Sequence, residues 1–364
     1  MAGTKTGEFK ELLSPFLKSK LKLAKQNYGI TDIKYKVLHN QYIKSEFEAH
    51  INSKEKRRHY ESEISTHFEN KKLIGLERLY RRTILIEPTT ACAAHCRWCV
   101  RGQYSVKTMN KEQIILAARY IGSEKLQKDI DELIITGGDP LTSIPLLDFT
   151  LNAIKDHAPN IKTIRIHSRI PFHEPKRINC NMLNTLAKYK TFHLKIGIHV
   201  NHPSEFWQES VTSLEKLQAA DIKLYNQHPL LKGVNDDIKT LIELYDMMRH
   251  LNIEAHYMFH ASPVRGMSHH RTSVKRGLEL ASELSSCGHF SGRAKPHYAL
   301  LTDIGKVIVY QDSILEKNED NHLLVKTGYQ VSERKAWSAG WLPPENVVVT
   351  DNGRMNVWYL DGLD

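Results

Sequence analysis

The chain has 364 residues, of which 41% are hydrophobic and 25% are charged. This length and apolar content predict one large α/β domain or two modest domains that fold without disulfides. No run of 18 apolar residues occurs, and the first residues lack the apolar stretch of a secretory signal, which argues against a membrane span and against secretion. We therefore expect a cytoplasmic protein.

The formal net charge is +10, and the sequence holds five cysteines. Three of the cysteines fall within eight positions, so reduced thiols that bind a metal fit better than a disulfide framework. Lysine and arginine occur throughout the chain, which favours a solvated basic surface. A basic RNA-binding protein with a structural metal site remains an alternative, although basic charge alone is weak evidence for nucleic-acid binding.

The first region, residues 1–80, is rich in Lys, Glu and His. Apolar side chains recur in it at roughly helical spacing, which predicts a helical N-terminal extension. These side chains are Phe9, Leu12, Leu13, Phe16, Leu17, Leu21 and Leu23.

The second region, residues 81–300, alternates strand-like and helix-like stretches. It opens with the apolar, β-branched run 83–86, which Glu87 and Pro88 close. Further strand-like stretches follow, each after an amphipathic helix: residues 132–136, 163–167, 194–199, 223–226 and 254–259. The six units predict an α/β fold, a TIM-like partial (β/α)6 barrel whose functional residues cluster at the carboxyl ends of its strands.

The third region, residues 301–364, is predicted to be a small C-terminal segment. Residues 298–310 alternate in polarity about a turn at 303–306, which predicts a hairpin. The segment is expected to serve as a lid or as an oligomer contact.

The strongest chemical signal is the spacing CxxxCxxC of Cys92, Cys96 and Cys99. Three thiolates suit three irons of a [4Fe-4S] cubane and leave its fourth iron open to a small-molecule ligand. A zinc site is the alternative. Structural zinc normally takes four protein ligands, and Cys180 and Cys287 would have to come from distant parts of the chain.

Trp98, directly before the third cysteine, completes a CxxxCx-aromatic-C motif that resembles the radical S-adenosylmethionine (SAM) superfamily. The resemblance implies a radical SAM barrel, in which the cluster cleaves SAM to a 5′-deoxyadenosyl radical. More closely, the chain resembles the lysine 2,3-aminomutase family over roughly residues 78–310. This second resemblance implies pyridoxal phosphate as cofactor and the migration of an α-amino group to the β-carbon of an amino acid. The blocks that carry it are 82–85, the cysteine loop with Arg101, 136–141, 167–171, 199–203 and 226–236.

The resemblance also implies a set of SAM-binding residues at the strand ends. The glycine pair Gly137 and Gly138, together with Asp139, would approach the methionine ammonium. Ser168 and Arg169 would bind a carboxylate or the ribose. Ordinary structural roles, namely a capped tight turn, a surface ion pair and a hydrogen-bonded histidine, remain alternatives. The full set is Trp98, Gly137, Gly138, Asp139, Ser168, Arg169, His199, Asn201 and Gln227.

Two residues are predicted to be catalytic. Arg101 matches the family's arginine that grips the substrate carboxylate, and Lys306 stands near the position of its Schiff-base lysine. An exposed lysine in an ordinary hairpin turn is the alternative for Lys306. Arg82, or its neighbour Arg81, would contact the phosphate of pyridoxal phosphate.

The substrate is expected to be an acidic or polar amino acid. Ser262 stands where lysine-specific members of the family carry an acid, so free lysine is a doubtful substrate. A group of basic residues follows, which favours an anionic ligand. These residues are Arg265, His269, His270 and Arg271.

The leading interpretation is thus a radical SAM isomerase of the 2,3-aminomutase type. A pyridoxal-independent radical SAM enzyme that acts on another small molecule, a peptide or RNA is the enzymatic alternative. The expected partners are the amino-acid substrate, a reductant such as flavodoxin or ferredoxin, and further copies of the chain in a homo-oligomer. Neither nucleic acid nor a membrane is expected as a partner.

Overall fold

The computed structural model describes residues 10–45, 67–100, 107–264 and 268–364. Its first elements are the helices α1 (Pro15–Tyr28) and α2 (Ile33–Tyr42). The Ser14 hydroxyl accepts a hydrogen bond from the Leu17 amide at the start of α1 (3.1 Å), and Gly29, with a φ of 77°, follows its end. The described part of the predicted extension thus begins with two helices, while Phe9 lies outside the described residues.

Residues 67–77 differ from the predicted extension because they form short strands. β1 (His67–Phe68) and β2 (Lys71–Lys72) pair as an antiparallel hairpin, and β3 (Leu76–Glu77) joins the main sheet. Glu69 and Asn70 form the hairpin turn with φ values of 52° and 60°. This left-handed backbone matches the twist of a two-residue hairpin and cannot continue a right-handed helix.

The main sheet has nine strands and curls into the predicted half-barrel. Its strands after β3 are β4 (Thr83–Thr89), β5 (Glu132–Gly137), β6 (Thr163–Ser168), β7 (His193–Ile198), β8 (Lys223–Leu230), β9 (Glu254–His260), β10 (His297–Thr302) and β11 (Gly305–Ile308). Neighbours from β4 to β10 are parallel, whereas β3 and β11 add antiparallel edges. All six predicted strands are present, and β10 extends the parallel sheet by a seventh.

Helices connect the parallel strands and cover the outside of the sheet. They are α3 (Lys111–Ile121), α4 (Glu124–Gln127), α5 (Ile144–His157), α6 (Ile170–His173), α7 (Cys180–Ala187), α8 (Gln208–Ala219), α9 (Ile238–His250) and α10 (Val274–Ser286). Short 3-10 turns occur at Pro140–Thr142, Pro175–Arg177, Pro203–Glu205, Ser268–His270, Gly292–Ala294 and Gln311–Ser313. Within the described ranges, no helix is both long and apolar enough to cross a membrane.

Alternation along each strand divides its side chains between the helical layer and the inside of the half-barrel. On β6, Ile164 and Ile166 are fully buried in the main apolar core, and Arg165 and His167 point to the other face. Aliphatic side chains thus bury one face of β6, and its other face brings polar side chains into the concave interior. This interior is where a parallel barrel presents functional groups.

The C-terminal segment folds as a four-stranded antiparallel sheet with one helix. Its elements are β12 (Ile314–Lys317), β13 (His322–Gln330), α11 (Val331–Trp337), β14 (Val347–Val349) and β15 (Arg354–Leu360). The strands lie side by side in the order β12-β13-β15-β14. The predicted hairpin is present as β10 and β11, which pair from Ala299↔Ile308 to Thr302↔Gly305. The boundary predicted after residue 300 lies inside β10, and the division into three regions stays a prediction.

Candidate active site

The loop that carries the three predicted cluster cysteines follows β4, at the carboxyl end of the first parallel strand. Cys92, Cys96 and Cys99 are free and partly buried. Burial raises the pKa of the Cys92 thiol, and the nearby charges of Asp139, Cys99 and Cys96 raise it further. The three thiols therefore lie close enough to feel one another's charge.

The helical extension covers this loop. The amide of His95 donates to the carbonyl of Leu12 (2.8 Å), and the amide of Arg97 donates to the carbonyl of Gln41 (3.1 Å). The apolar cluster beneath both helices includes Ala94 of the loop, and Cys96 packs against it. The cysteine loop is thus held between the strand ends and α1 and α2.

The glycine pair predicted to approach SAM packs against the backbone of the cysteine loop. The Gly138 amide donates to the Thr89 carbonyl (2.7 Å), and the Asp139 amide donates to the Ala91 carbonyl (2.8 Å). A Cβ atom at Gly138 would lie 2.1 Å from the Ala91 carbonyl oxygen, and Gly137 has a φ of 112°. The need for glycine here thus comes from the loop itself, and a further contact with SAM stays a prediction.

Asp139 joins the ends of β5 and β6. Its carboxylate accepts hydrogen bonds from the Ser168 hydroxyl (2.7 Å), the Arg169 amide (2.7 Å) and the Leu141 amide (3.1 Å). Burial raises the pKa of Asp139 to about 6, and these hydrogen bonds oppose the rise. Asp139 and Ser168, both predicted to bind SAM, therefore already satisfy each other in this arrangement.

Arg169 lies beside the second cysteine. Its guanidinium donates to the Cys96 sulfur (3.1 Å) and forms an ion pair with Glu205, and both side chains of that pair are almost completely buried. Burial alone would lower the pKa of Arg169, but Tyr42, Cys96 and Glu205 raise it above its ordinary value. The sequence reasoning placed Arg169 on a ligand carboxylate or ribose, whereas the structure supplies a carboxylate from Glu205. The alternative that Arg169 forms a surface ion pair is wrong, because the pair with Glu205 is buried.

Gln41 of α2 completes this group. Neither Gln41 nor Glu205 was predicted from the sequence to be a site residue. The Gln41 side-chain carbonyl accepts from the Asn201 amide (2.9 Å) and from Arg169 (3.4 Å). The Asn201 backbone amide donates to Glu205 (2.9 Å). Gln41 Nε2, Asn201 Oδ1 and Arg169 Nε remain buried with no partner among the described residues. Unpartnered buried atoms are rare in folded proteins and indicate room for a polar ligand or for water.

Two further predicted SAM-binding residues are His199, which directly follows β7, and Gln227, which lies on β8. Burial, Arg169, His228 and Lys306 lower the pKa of His199 to about 3, so its imidazole is neutral. The Gln227 amide donates to His167 Nδ1 (3.1 Å), and Gln227 Oε1 has no partner within the described part of the chain. Both side chains present uncharged polar groups, which suit a ribose or an adenine better than an anion.

Lys306 lies on β11 and points into the half-barrel. Its ammonium nitrogen lies 5.1 Å from the centre of the Tyr257 ring and 5.3 Å from that of Phe259. Burial and the Arg165 cation lower the pKa of Lys306 to about 8, against the opposing charges of Glu77 and Glu132. The alternative of an exposed turn lysine is therefore wrong, because the side chain is partly buried among aromatic rings.

The backbone around Lys306 is held by hydrogen bonds from the segment before β4 and from the C-terminal segment. The Lys306 amide donates to the Tyr80 hydroxyl (2.9 Å), and the Tyr329 hydroxyl donates to the Lys306 carbonyl (2.8 Å). Arg334 donates to the Ile304 carbonyl (2.9 Å). The C-terminal sheet is thus attached to the hairpin that carries the lysine.

The structure describes Arg81 and Arg82, of which one was predicted to contact pyridoxal phosphate, but not Arg101, which was predicted to bind the substrate carboxylate. Arg82 is 58% exposed and forms an ion pair with Asp131, and its neighbour Arg81 is 60% exposed and pairs with Asp129. They lie at the amino end of β4, away from the cysteine loop. Arg101 lies outside the described residues, so its role stays a prediction.

The region predicted to be basic supplies less charge than its sequence suggests. Ser262 is partly buried after β9, and Arg265 lies outside the described residues. The Arg271 guanidinium donates to the carbonyls of Ala261 (3.0 Å) and Leu360, and burial, His269 and Arg97 lower the pKa of His270 to about 3. Arg271 therefore holds the C-terminal strand, and His270 is neutral.

Trp98 faces the same network from the loop. Its ring lies 5.0 Å from the Arg169 guanidinium carbon, and it packs against the apolar group of Val37, Leu231, Val234 and Ala261. The tryptophan thus anchors the last turn of the cysteine loop. A contact with SAM stays a prediction.

The three thiols fit a [4Fe-4S] cluster. In the described ranges, no three His, Cys, Asp or Glu side chains are grouped as ligands of a single metal ion. Each thiolate of a cubane binds a different iron, so this cluster does not need ligands around one point. Of the other two cysteines, Cys180 is exposed at the start of α7 and Cys287 follows α10. Lys306 likewise fits pyridoxal phosphate, because a lysine that readily loses its proton forms an imine more easily.

Comparison with known proteins agrees with this geometry. Residues 86–245 match the radical SAM superfamily. The chain is 36% identical over 236 residues to an L-lysine 2,3-aminomutase from Methanococcus maripaludis, covering 64% of this chain and 53% of that protein. It is 37% identical over 219 residues to an L-lysine 2,3-aminomutase from Buchnera aphidicola, covering 58% and 62%.

A third relative is a glutamate 2,3-aminomutase from Clostridioides difficile, 31% identical over 224 residues, covering 61% of this chain and 52% of that protein. The matched part thus spans between half and two thirds of the length of these curated relatives. The segment that matches the superfamily, residues 86–245, runs from β4 into α9 and includes the cysteine loop. The chain thus carries a radical SAM domain at residues 86–245 and is similar to curated lysine 2,3-aminomutases.

Proposed function

We propose that the chain is a radical SAM isomerase that moves an amino group between neighbouring carbons of an amino acid, as 2,3-aminomutases do. The observation that carries this proposal is the position of Lys306. Its charge lowers the pKa of both His167 and His199. A lysine suited to imine formation thus shares one concave face with the residues that surround the cysteine loop.

Two bound groups would supply the radical chemistry. Cys92, Cys96 and Cys99 would hold the cluster, which when bound would supply the electron for cleavage of SAM to methionine and a 5′-deoxyadenosyl radical. Lys306 would hold pyridoxal phosphate, whose conjugated ring would stabilise an unpaired electron during migration.

The chain's own residues prepare the site for both groups. Arg169 donates to the Cys96 sulfur and is fixed by Glu205, so a positive charge lies permanently beside the cluster loop. Burial, Lys306 and Arg165 lower the pKa of His256 to about 4, so the interior histidines stay neutral near pH 7. Neutral imidazoles bind by hydrogen bonding and do not compete with Lys306 for an anionic phosphate. The side chains of Tyr257 and Phe259 place aromatic rings beside the amine.

The proposed substrate is an acidic or polar amino acid. Ser262 replaces the acid expected for binding a distal ammonium, and the relative from Clostridioides difficile is by name a glutamate 2,3-aminomutase. Since Arg271 is occupied by backbone carbonyls and His270 is neutral, Arg101 and Arg265 are the remaining candidates for a second carboxylate.

The test uses protein purified and reconstituted without oxygen. Dithionite-driven release of 5′-deoxyadenosine from SAM is measured first. L-glutamate, L-lysine and polar amino acids are then supplied, and β-amino acid products are resolved by derivatisation and mass spectrometry. In parallel, borohydride reduction with pyridoxal phosphate and peptide mapping locate the labelled lysine.

The expected result is nucleoside release that Cys96→Ala abolishes, and a pyridoxal label on Lys306 that Lys306→Ala abolishes. Cys287→Ala, which alters a thiol far from the loop, is the matched control and should retain both signals. Nucleoside release without a label would sink the aminomutase mechanism and favour a pyridoxal-independent radical enzyme. A loaded cluster that releases no nucleoside would contradict the proposal as a whole.

A further inference from the structure

The basic charge of this protein is concentrated on the helical extension. Residues 10–45 hold eight lysines and only two acids, Glu11 and Asp32, which leaves them with a formal charge of +6 out of +10 for the chain. A tenth of the chain forms a strongly positive surface.

The lysines of α1 share one exposed side of the helix. Lys18, Lys22 and Lys25 follow at intervals of four and three residues and are all exposed. Lys34 and Lys36 of α2 are exposed as well. The helix pair thus displays a broad field of one sign toward solvent.

Apolar side chains lie within the same surface. Leu23 is 49% exposed, Tyr28 47%, Ile30 59% and Ile33 64%. They follow one another from the end of α1 to the start of α2. Clustered exposed apolar groups surrounded by charges are typical of a protein-binding surface, whereas a surface that only keeps a protein in solution does not need them.

The cysteine loop lies directly beneath this surface. Residues 10–12 accept hydrogen bonds from His95, whose ring nitrogen Nδ1 lies 2.8 Å from the Lys10 carbonyl and whose amide lies 2.8 Å from that of Leu12. Cys96 packs against the inner side of the helix pair. A protein bound to the outer side would be separated from the cluster ligand by one layer of helices.

We propose that residues 10–45 form the docking surface for an acidic protein that carries single electrons. This inference rests on the proposed cluster. One electron passes from the reduced carrier, which is oxidised by one electron, to the cluster, which is reduced by one electron, and no proton or other group is transferred. The positive surface attracts the acidic carrier, and the exposed apolar residues hold it over the loop.

The experiment measures the rate at which a reduced, acidic [2Fe–2S] ferredoxin reduces the reconstituted cluster, by anaerobic stopped-flow absorbance. The variant is the triple substitution Lys18→Glu, Lys22→Glu and Lys25→Glu. At low ionic strength we expect the second-order rate constant to fall by about tenfold or more, since electrostatic steering raises association rates by 10 to 1,000-fold. At 1 M salt, where screening acts within about 3 Å, the variant and the parent should converge.

The matched control reverses the same number of charges at the opposite end of the barrel. Lys155, Lys190 and Lys223 are exposed near the amino ends of the strands. The triple change Lys155→Glu, Lys190→Glu and Lys223→Glu should retain most of the rate. Dithionite-driven release of 5′-deoxyadenosine should be the same in all three proteins, which verifies that each is folded and loaded.

The outcomes separate the inference from the function on which it rests. Equal rates in both triple variants, with normal dithionite-driven release, would overturn the docking surface and leave the radical enzyme intact. Absence of cluster or of nucleoside release in the parent protein would overturn both. Salt-sensitive binding of RNA that only the α1 variant loses, with an unchanged ferredoxin rate, would assign the surface to nucleic acid instead and would also overturn the proposal.

Discussion

Two regions of the half-barrel hold buried polar groups in opposite ways. Around the cysteine loop, Arg169 has a carboxylate, a sulfur and an amide as partners, and the partners come from three separate segments of the chain. In the interior, Lys306 is partly buried beside aromatic rings, and burial together with Arg165 lowers its pKa. The first region stabilises a charge, and the second destabilises one.

This difference follows from what each region must do before any ligand arrives. A buried charge that is paired with an opposite charge is held in place, and the loss of one partner leaves the other uncompensated. A buried amine without a carboxylate at hydrogen-bonding distance favours its neutral and reactive form. Substitutions in the two regions should therefore change stability with opposite signs.

The largest expected effect is in the first region, for Glu205→Ala. The substitution leaves the Arg169 guanidinium buried without its carboxylate, and breaking such a pair typically costs about 3–5 kcal/mol. The free energy of unfolding is measured by urea denaturation under reducing conditions. Lys188→Ala removes the exposed pair with Asp148 and should cost less than about 1 kcal/mol. Equal effects of the two variants would show that the buried pair is not a support of the fold.

A smaller loss is expected for Gly138→Ala, which breaks the contact between β5 and the cysteine loop. The added methyl group would lie 2.1 Å from the Ala91 carbonyl oxygen, so the loop must shift, at a cost of about 1–3 kcal/mol. Iron and sulfide bound per chain after reconstitution should fall together with the thermal midpoint. Gly340→Ala, where nothing lies within 4 Å of the new methyl group, is the control and should bind iron normally.

The smallest effect, and the only stabilising one, is expected for Lys306→Met. Because the folded pKa of about 8 lies below the ordinary value of 10.5, the unfolded chain binds more protons between these values. The parent should therefore gain stability as the pH rises through this interval. The variant should lack this gain and be more stable at pH 7 by about 1–2 kcal/mol. Unfolding free energies at pH 7 and pH 10 measure both effects, and a less stable variant at pH 7 would contradict the comparison.

Local patterns were sufficient to predict the framework of the fold. The alternation in residues 163–167 and the β-branched run 83–86 identified strands that the structure confirms as β6 and β4. The parallel pairing of β10 with β9 was not predicted, since residues 297–302 carry the same pattern whether they form only a hairpin or also extend the sheet. Pattern alone therefore identified the elements better than it identified their neighbours.

The site was predictable where a residue's role depends on its own loop, and not where it depends on distant segments. The spacing of the three cysteines is local, whereas the contact between Gln41 and Arg169 joins positions 128 residues apart. Nothing about a glutamine in an amphipathic helix distinguishes it from a surface residue. The pKa of Lys306 likewise depends on burial by β9, which no sequence spacing near the lysine reveals.

The cover that α1 and α2 form over the cysteine loop has a consequence for the order of assembly. Ala94 and Cys96 lie under the two helices, whose backbone also bonds to the loop at His95 and Arg97. These two backbone hydrogen bonds form only once the two helices have docked on the loop, so docking of the extension and ordering of the cysteine loop belong to one step of folding.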